Sequence, residues 1–361
     1  MKNILLILVG GTICTAVNDE GTLSVSDAAG SMLKDYFYKS DSEFAHKEKV
    51  KIHCTENLHV LSENMTVGKW NEILDTYRSY VGKNEYDGII FAHGTDTLAY
   101  SAALFSLILS NTPVPVFFVS SNKRLDLIAA NGNANFRCAV ECICRGIRPN
   151  VYVPYKNISD GRMYLHMASR LRQCANYSED FFSKDAVEIS DSSEQSYKIA
   201  FGELEKLYPQ KMPAEAVNVF GDWRLSDCVL MITPYVGINY EAYNYDAFRA
   251  VLHGTFHSGT ACAEQTRDSE YYGRSSILKM VDLCADNSAD LYVSPAKSEG
   301  EVYETVRIIE NHEAKGKKVR YLYGCTNEMA YAKILLAYSV FDSREQITSF
   351  LAAEVNYEFI D

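Results

Sequence analysis

Two short loops hold the residues best suited to chemistry. Gly10-Gly11-Thr12-Ile13 follows the apolar run Ile4-Leu5-Leu6-Ile7-Leu8-Val9. His93-Gly94-Thr95-Asp96-Thr97 follows Gly88-Ile89-Ile90-Phe91-Ala92. Glycine lets the backbone approach a small ligand, and the residues after it set hydroxyls and a carboxylate beside that ligand. At the carboxyl ends of parallel strands, both loops face one crevice. Two hydroxyls and an acid in a cleft suit nucleophilic acyl chemistry. The first loop also invites two other readings. As a dinucleotide fingerprint it lacks the third glycine, and no helix pattern follows at once. As a tight turn with a capping threonine it needs no ligand at all. Thr97 is a candidate cap for a helix starting at Leu98.

The elements that position these loops alternate between strand and helix. After the first strand, residues 18–30 are polar and read as a mobile loop. Residues 52–60 read as a strand, and 67–80 as a helix capped by Thr66. Apolar residues at helical spacing mark 98–109 as a helix, with a buried strand over 114–120. A helix at 135–145 and a short strand at 151–153 follow. Such alternation predicts an α/β fold whose parallel sheet is covered on both faces. Residues 184–222 turn polar, with Pro209 and Pro213, and close the first domain. The expected division is a catalytic domain at 1–200, a linker at 201–222 and a second α/β domain at 223–361. In that second domain, strands are expected at 228–232, 289–293 and 319–323, and helices at 241–252, 301–314, 327–338 and 344–355.

Bulk composition excludes several classes. The 361 residues leave ample chain for a large core, and two domains are a fair prior. With 47 acids against 35 bases the net charge is -12, which disfavours nucleic acid and anionic membranes as partners. The run from Ile4 to Val9 is too short to span a bilayer, and no cleavage-site pattern follows it, so a cytoplasmic location is expected. None of the ten cysteines forms a Cys-x-x-Cys pair, and free buried thiols are expected. Cys138, Cys142 and Cys144 cluster without a second group to complete a zinc site. His253 and His257 are four apart but lack the glutamate of a zinc-protease helix, so no metal is expected.

Through these motifs the chain resembles the bacterial L-asparaginase family of threonine-dependent amidohydrolases. Gly10 to Ile13 and His93 to Thr97 match its two signature loops. The likeness continues at Ser62-Glu63-Asn64-Met65, at Asp160-Gly161-Arg162, and at Gly324-Cys325-Thr326-Asn327-Glu328-Met329-Ala330 with Lys333-Ile334-Leu335. It is weakest between about residues 170 and 225. The resemblance implies an asparaginase-like fold of two domains, each with a parallel-type sheet flanked by helices, and asparagine as substrate. It implies no metal or organic cofactor. Thr12 would attack the side-chain amide carbon, and Thr95 would activate water or partner the nucleophile. Asp96 would bind the substrate's α-ammonium, an arrangement that suits an ionised carboxylate. Ser62 would hold the α-carboxylate, and Gly11, Glu63 and Gly94 would complete the binding surface. Gly94 and neighbouring amides could supply an oxyanion site.

The chain departs from the family in two places. Where relatives have a catalytic lysine, four residues beyond the Asp-Gly-Arg arginine, stands His166. Its unperturbed pKa near neutrality suits it to carry the proton, and a bystander role is the competing reading. Many relatives have a tyrosine in the loop after the first threonine. No tyrosine lies between Cys14 and Gly30, and Thr15 or Ser24 is the candidate substitute. Family dimers and tetramers imply a homo-oligomer in which Asn327 and Glu328 serve a neighbouring site, or merely begin a helix. Two further outcomes stay open: an amidohydrolase for glutamine or another small amide, and a catalytically weak asparagine-binding regulatory homologue.

Overall fold

The computed structural model describes residues 1–17, 21–192, 196–198, 201–209, 216–264, 273–296 and 302–360. The chain forms two compact units. The first comprises Met1–Asp222 with Val355–Tyr357, and the second comprises Trp223–Glu354 with the residues from Glu358 onward.

The first unit is built on β1 (Lys2–Leu8), β2 (Thr15–Val17), β3 (Leu23–Val25), α1 (Ala29–Lys39), β4 (Val50–Cys54) and α2 (Val67–Val81). There follow β5 (Gly88–Ala92), α3 (Leu98–Ile108), β6 (Val116–Val119), α4 (Gly132–Cys144), β7 (Val151–Lys156) and β8 (Met163–Met167). The unit ends with β9 (Leu171–Arg172), β10 (Phe182–Ser183), β11 (Val187–Ser192), β12 (Ser196–Lys198) and α5 (Phe201–Leu207). Its main sheet runs β12-β11-β8-β7-β6-β5-β1-β4. The five strands from β4 to β7 are parallel, whereas β7 to β12 pair antiparallel. The sheet is therefore mixed rather than purely parallel.

Strands β1, β5 and β6 are apolar along nearly their whole length because both faces are covered. Ile4, Leu6 and Leu8 pack with Phe37 of α1 and Phe136 of α4 on one face. On the other, Phe91 stacks on Phe118 at 4.6 Å, and both meet Phe105 of α3. Helix α3 is buried on almost every side, as its unbroken apolar composition requires. Thr66 caps α2 by accepting from Lys69 N at 3.2 Å.

Three stretches of the first unit differ from the expectation. The interval at 18–30 contains β3 and the start of α1, although residues 18–20 lie outside the described set. Leu33 and Phe37, four apart and both buried, are what anchor α1. Residues 184–222 are not wholly irregular: β11 extends the main sheet beside β8, and α5 buries Leu204. Thr97 leaves α3 without a side-chain cap and donates to Ser62 O at 2.9 Å instead.

The second unit has β13 (Val229–Ile232), β14 (Ala250–His253), α6 (Ile277–Asp286), β15 (Asp290–Ala296) and α7 (Glu304–Asn311). These are followed by β16 (Glu313–Ala314), β17 (Lys317–Lys318), β18 (Arg320–Tyr323), α8 (Asn327–Val340) and α9 (Arg344–Ala352). Strands β13-β14-β15-β18 form a parallel sheet. The helix expected at 241–252 is absent. A single turn at Tyr240–Ala242 gives way to β14, whose four residues are buried between β13 and β15. Pairing in the middle of a sheet outweighs a helical spacing of aromatic residues there. Among the described residues no helix is long and apolar enough to cross a membrane.

A fully buried ion pair joins α8 to the segment after α9. Lys333 Nζ lies 2.6 Å from Glu358 Oε1, neither side chain reaches solvent, and the ammonium also donates to the Ala353 carbonyl. Glu358→Gln would leave that ammonium without its counter-charge. We expect it to destabilise the second unit by about 3–5 kcal/mol in urea denaturation, with a smaller loss when Lys333→Met and Glu358→Leu are combined.

Candidate active site

The two threonine loops meet through backbone rather than side chains. Val9 and Gly10 donate to the Ala92 carbonyl at 3.0 and 3.3 Å, so the loop after β1 hangs from the end of β5. Gly11 donates to Val60 O at 2.9 Å, tying it to the segment after β4 as well. Gly11 has φ +74°, and a Cβ there would lie 2.1 Å from Gly94 Cα. A Cβ on Gly94 would lie 2.5 Å from the Ser62 side chain. Three strand ends thus converge on one spot that only glycine can occupy. Thr12 and Thr95 each follow one of these touching glycines.

Thr12 opens a short 3-10 turn, Thr12–Cys14, at the carboxyl end of β1. Its carbonyl accepts from the Thr15 hydroxyl at 3.0 Å, so Thr15 steadies the turn from a buried position. Ser62 is also buried, and its Oγ donates to Asp96 Oδ2 at 2.8 Å. With Thr97 holding the Ser62 carbonyl, the 62–64 turn and the 93–97 loop form one hydrogen-bonded block. Thr95 is half-buried, whereas Asp96 is exposed enough to meet a ligand. Glu63 is exposed and lies outside the residues that line the adjacent cleft.

Thr95 and Asp96 open into that cleft, a space of about 440 Å³ walled by Tyr155, Gln173, Cys174 and Glu179. Gln173 reaches the catalytic-loop candidate directly: its Nε2 donates to Thr95 O at 2.8 Å, and its Oε1 accepts from Ala99 N at 3.2 Å. Asn122 donates to Glu179 Oε2 at 2.8 Å across the far wall. The charged residues lining the cleft, Asp96 and Glu179, are both acidic. Burial pushes the Cys174 thiol up to about 12, with Asp180, Asp96 and Glu179 adding to the rise, so it is no thiolate nucleophile. Among the described residues no group of three or more side chains could hold a metal ion.

None of Gln173, Tyr155, Cys174, Asn122 and Glu179 carries a signature in the sequence. They lie well beyond the threonine loops, in most cases where the likeness fades, and only the tertiary fold assembles them. The Asp160-Gly161-Arg162 motif forms the exposed turn between β7 and β8, where Asp160 accepts from Arg162 N and from the Tyr164 hydroxyl. Asn327 begins α8, and Thr326 caps it by accepting from Met329 N at 3.1 Å.

His166 sits on β8 opposite Val153, while Tyr155, which does line the cleft, sits opposite Tyr164. His166 is thus two residue pairs further from the carboxyl end of β7. It is buried, and its Nδ1 lies 2.7 Å from Ser183 Oγ. Burial lowers its pKa to about 3, below the near-neutral value of a free imidazole. His93 is likewise buried and lowered to about 4. Its Nδ1 faces the Gly94 carbonyl at 2.8 Å, which requires the proton on that nitrogen. Among the described residues neither ring's Nε2 has a hydrogen-bond partner.

Neutral buried imidazoles make stability depend on pH. Both histidines are depressed below their ordinary value of 6.5, so their contribution is complete above 6.5 and falls as the unfolded chain takes up protons that the folded one refuses. The unfolding free energy of the first unit should drop between pH 6.5 and 5, with a slope approaching about 1.4 kcal/mol per pH unit for each histidine. Urea titrations at several pH values check this, and a flat profile over that interval would contradict it.

Comparison with known proteins agrees with this architecture. Residues 3–199 match the family model described as "Asparaginase, N-terminal". Among curated relatives, a glutamyl-tRNA(Gln) amidotransferase subunit of Methanothermobacter thermautotrophicus is 26% identical over 66% of this chain and 52% of that protein. The chain therefore spans about half the length of that relative. The subunit of the same name from Methanococcus maripaludis is 23% identical over 99% of this chain and 81% of its own. Two solved structures share the fold with a TM-score of 0.68 each. The thermostable L-asparaginase of Thermococcus kodakarensis is 19% identical and covers 99% of both chains. L-asparaginase I of Vibrio cholerae is 20% identical and covers 100% of this chain and 99% of its own. A family model matched over more than half of the sequence, on the unit that holds both threonine loops, settles the kinship: the chain belongs to the asparaginase family.

Proposed function

We propose that this protein hydrolyses the side-chain amide of asparagine to aspartate and ammonia, with Thr12 as nucleophile. The observation that carries the reading is the convergence of the Thr12, Ser62 and Thr95 loops through Gly11 and Gly94. In this reading the Thr12 hydroxyl oxygen attacks the amide carbon, and backbone N–H groups of the loops stabilise the oxyanion. The amide C–N bond breaks, the nitrogen leaves as ammonia with the hydroxyl proton, and water then hydrolyses the threonyl ester. Thr95 orients that water. Asp96, held by Ser62 at the cleft mouth, receives the substrate's ammonium, and a cleft whose charged lining is acidic supports that polarity. Of the two readings of His166, its burial, its bond to Ser183 and its low pKa support a packed residue over a proton carrier.

A second reading draws on the relatives named as subunits of a glutamyl-tRNA(Gln) amidotransferase. In it the amide is that of glutamine and the chain works with a protein partner. The primary reading takes the assembly to be a homodimer or homotetramer in the cytoplasm, a compartment consistent with ten free cysteines. Ammonia release from asparagine, glutamine and simple amides separates these readings. Thr12→Ala and Thr95→Ala should each lose turnover by orders of magnitude with the fold intact. Asp96→Ala should raise KM by about tenfold or more, since a charge-assisted contact is worth ~1.5–3 kcal/mol. Near-normal ammonia release by both threonine variants would end the assignment.

A further inference from the structure

The loop that presents Thr95 is held on the side of α3 by a side chain from a distant part of the chain. Gln173 follows β9, and its amide spans the turn into α3, donating to Thr95 O and accepting from Ala99 N. The Thr95 carbonyl also accepts from Leu98 N, at 3.3 Å. A carboxamide is suited to this bridge because one end donates while the other accepts. Among the described residues lining the cleft none is lysine, arginine or histidine. The Gln173 carboxamide is itself a neutral group that takes up no proton at ordinary pH. Its contribution is to geometry.

We infer that Gln173 is a positioning residue, which fixes the Thr95 peptide so that the Thr95 hydroxyl and the Asp96 carboxylate face the same substrate. This rests on the amidohydrolase reading above and adds to it a residue outside the signature loops. The block made by Ser62, Asp96 and Thr97 constrains one side of the loop. Gln173 constrains the other, where the chain turns into α3. Thr95 has no glycine after it to absorb a change at this point, so a peptide that rotates carries the hydroxyl with it.

Two variants of the full chain separate the two ends of the bridge. Gln173→Glu keeps an acceptor for Ala99 N–H but presents no donor to the Thr95 carbonyl. Gln173→Met removes both bonds at similar volume. Misplacement of a reacting group by a fraction of an ångström to an ångström lowers turnover on the order of 10- to 100-fold. Both variants should show that loss in kcat, with KM within about threefold and a melting temperature within about 3 °C of wild type, because the residue sits at the cleft edge and one or two hydrogen bonds are at stake. Hydrogen exchange at the Ala99 amide should accelerate in Gln173→Met and stay protected in Gln173→Glu. Wild-type kcat in either variant would overturn the inference, as would a loss of activity that merely follows a fall in melting temperature. If the wild-type protein releases ammonia from no amide, the functional proposal fails. Exchange then decides the structural part: unchanged protection of Ala99 in Gln173→Met overturns it, and faster exchange upholds it.

Discussion

The site depends on one contact without side chains, the approach of Gly11 to Gly94. Strands β1 and β5 are hydrogen-bonded neighbours, so their carboxyl ends emerge side by side. A Cβ on either glycine would collide, in one case with the other glycine's backbone and in the other with Ser62. Because both lack one, the loops nest, and the threonines that follow are held by two central strands of a mixed sheet. Ser62 then enters from the end of β4, on the other side of β1. Three adjacent parallel strands thus bring the Thr12, Ser62 and Thr95 loops together, as expected for ligand sites at the carboxyl edge of such sheets.

Among the described residues, those lining the cleft include no lysine, arginine or histidine. His93 and His166 are both buried, which lowers their pKa values to about 4 and about 3. The cleft wall offers amides, hydroxyls and carboxylates instead. In the proposed reaction the threonine depends on how its loop is held, which gives weight to every group that keeps the loop in place.

How much of this is readable in the sequence differs by element. The threonine loops are legible because unbroken apolar runs lead straight into glycine, a pattern of buried parallel strands. Thr66 is legible as a cap for the same local reason. Residues 241–252 mislead, since aromatic side chains at helical spacing carry no sign that Ala250 to His253 will be paired on both edges. Ala29, Met32, Leu33, Tyr36 and Phe37 stand at helical spacing, so the start of α1 is a local signal that the polar stretch before it obscures. Thr97 looks like a cap, but Ser62, 35 positions away, claims its hydroxyl. Gln173 has no local signature at all; its importance comes from a partner 78 positions away. Local patterns announce strands and turns, while cross-chain hydrogen bonds appear only once the sheet has assembled.

A crystal structure of the full chain with aspartate bound tests the central claim most directly. The account predicts one aspartate in the crevice, its ammonium on Asp96 and its α-carboxylate against the Ser62 turn, with the side-chain carboxylate between Thr12 and Thr95. Aspartate bound elsewhere, or lying beyond reach of either threonine hydroxyl, would contradict it.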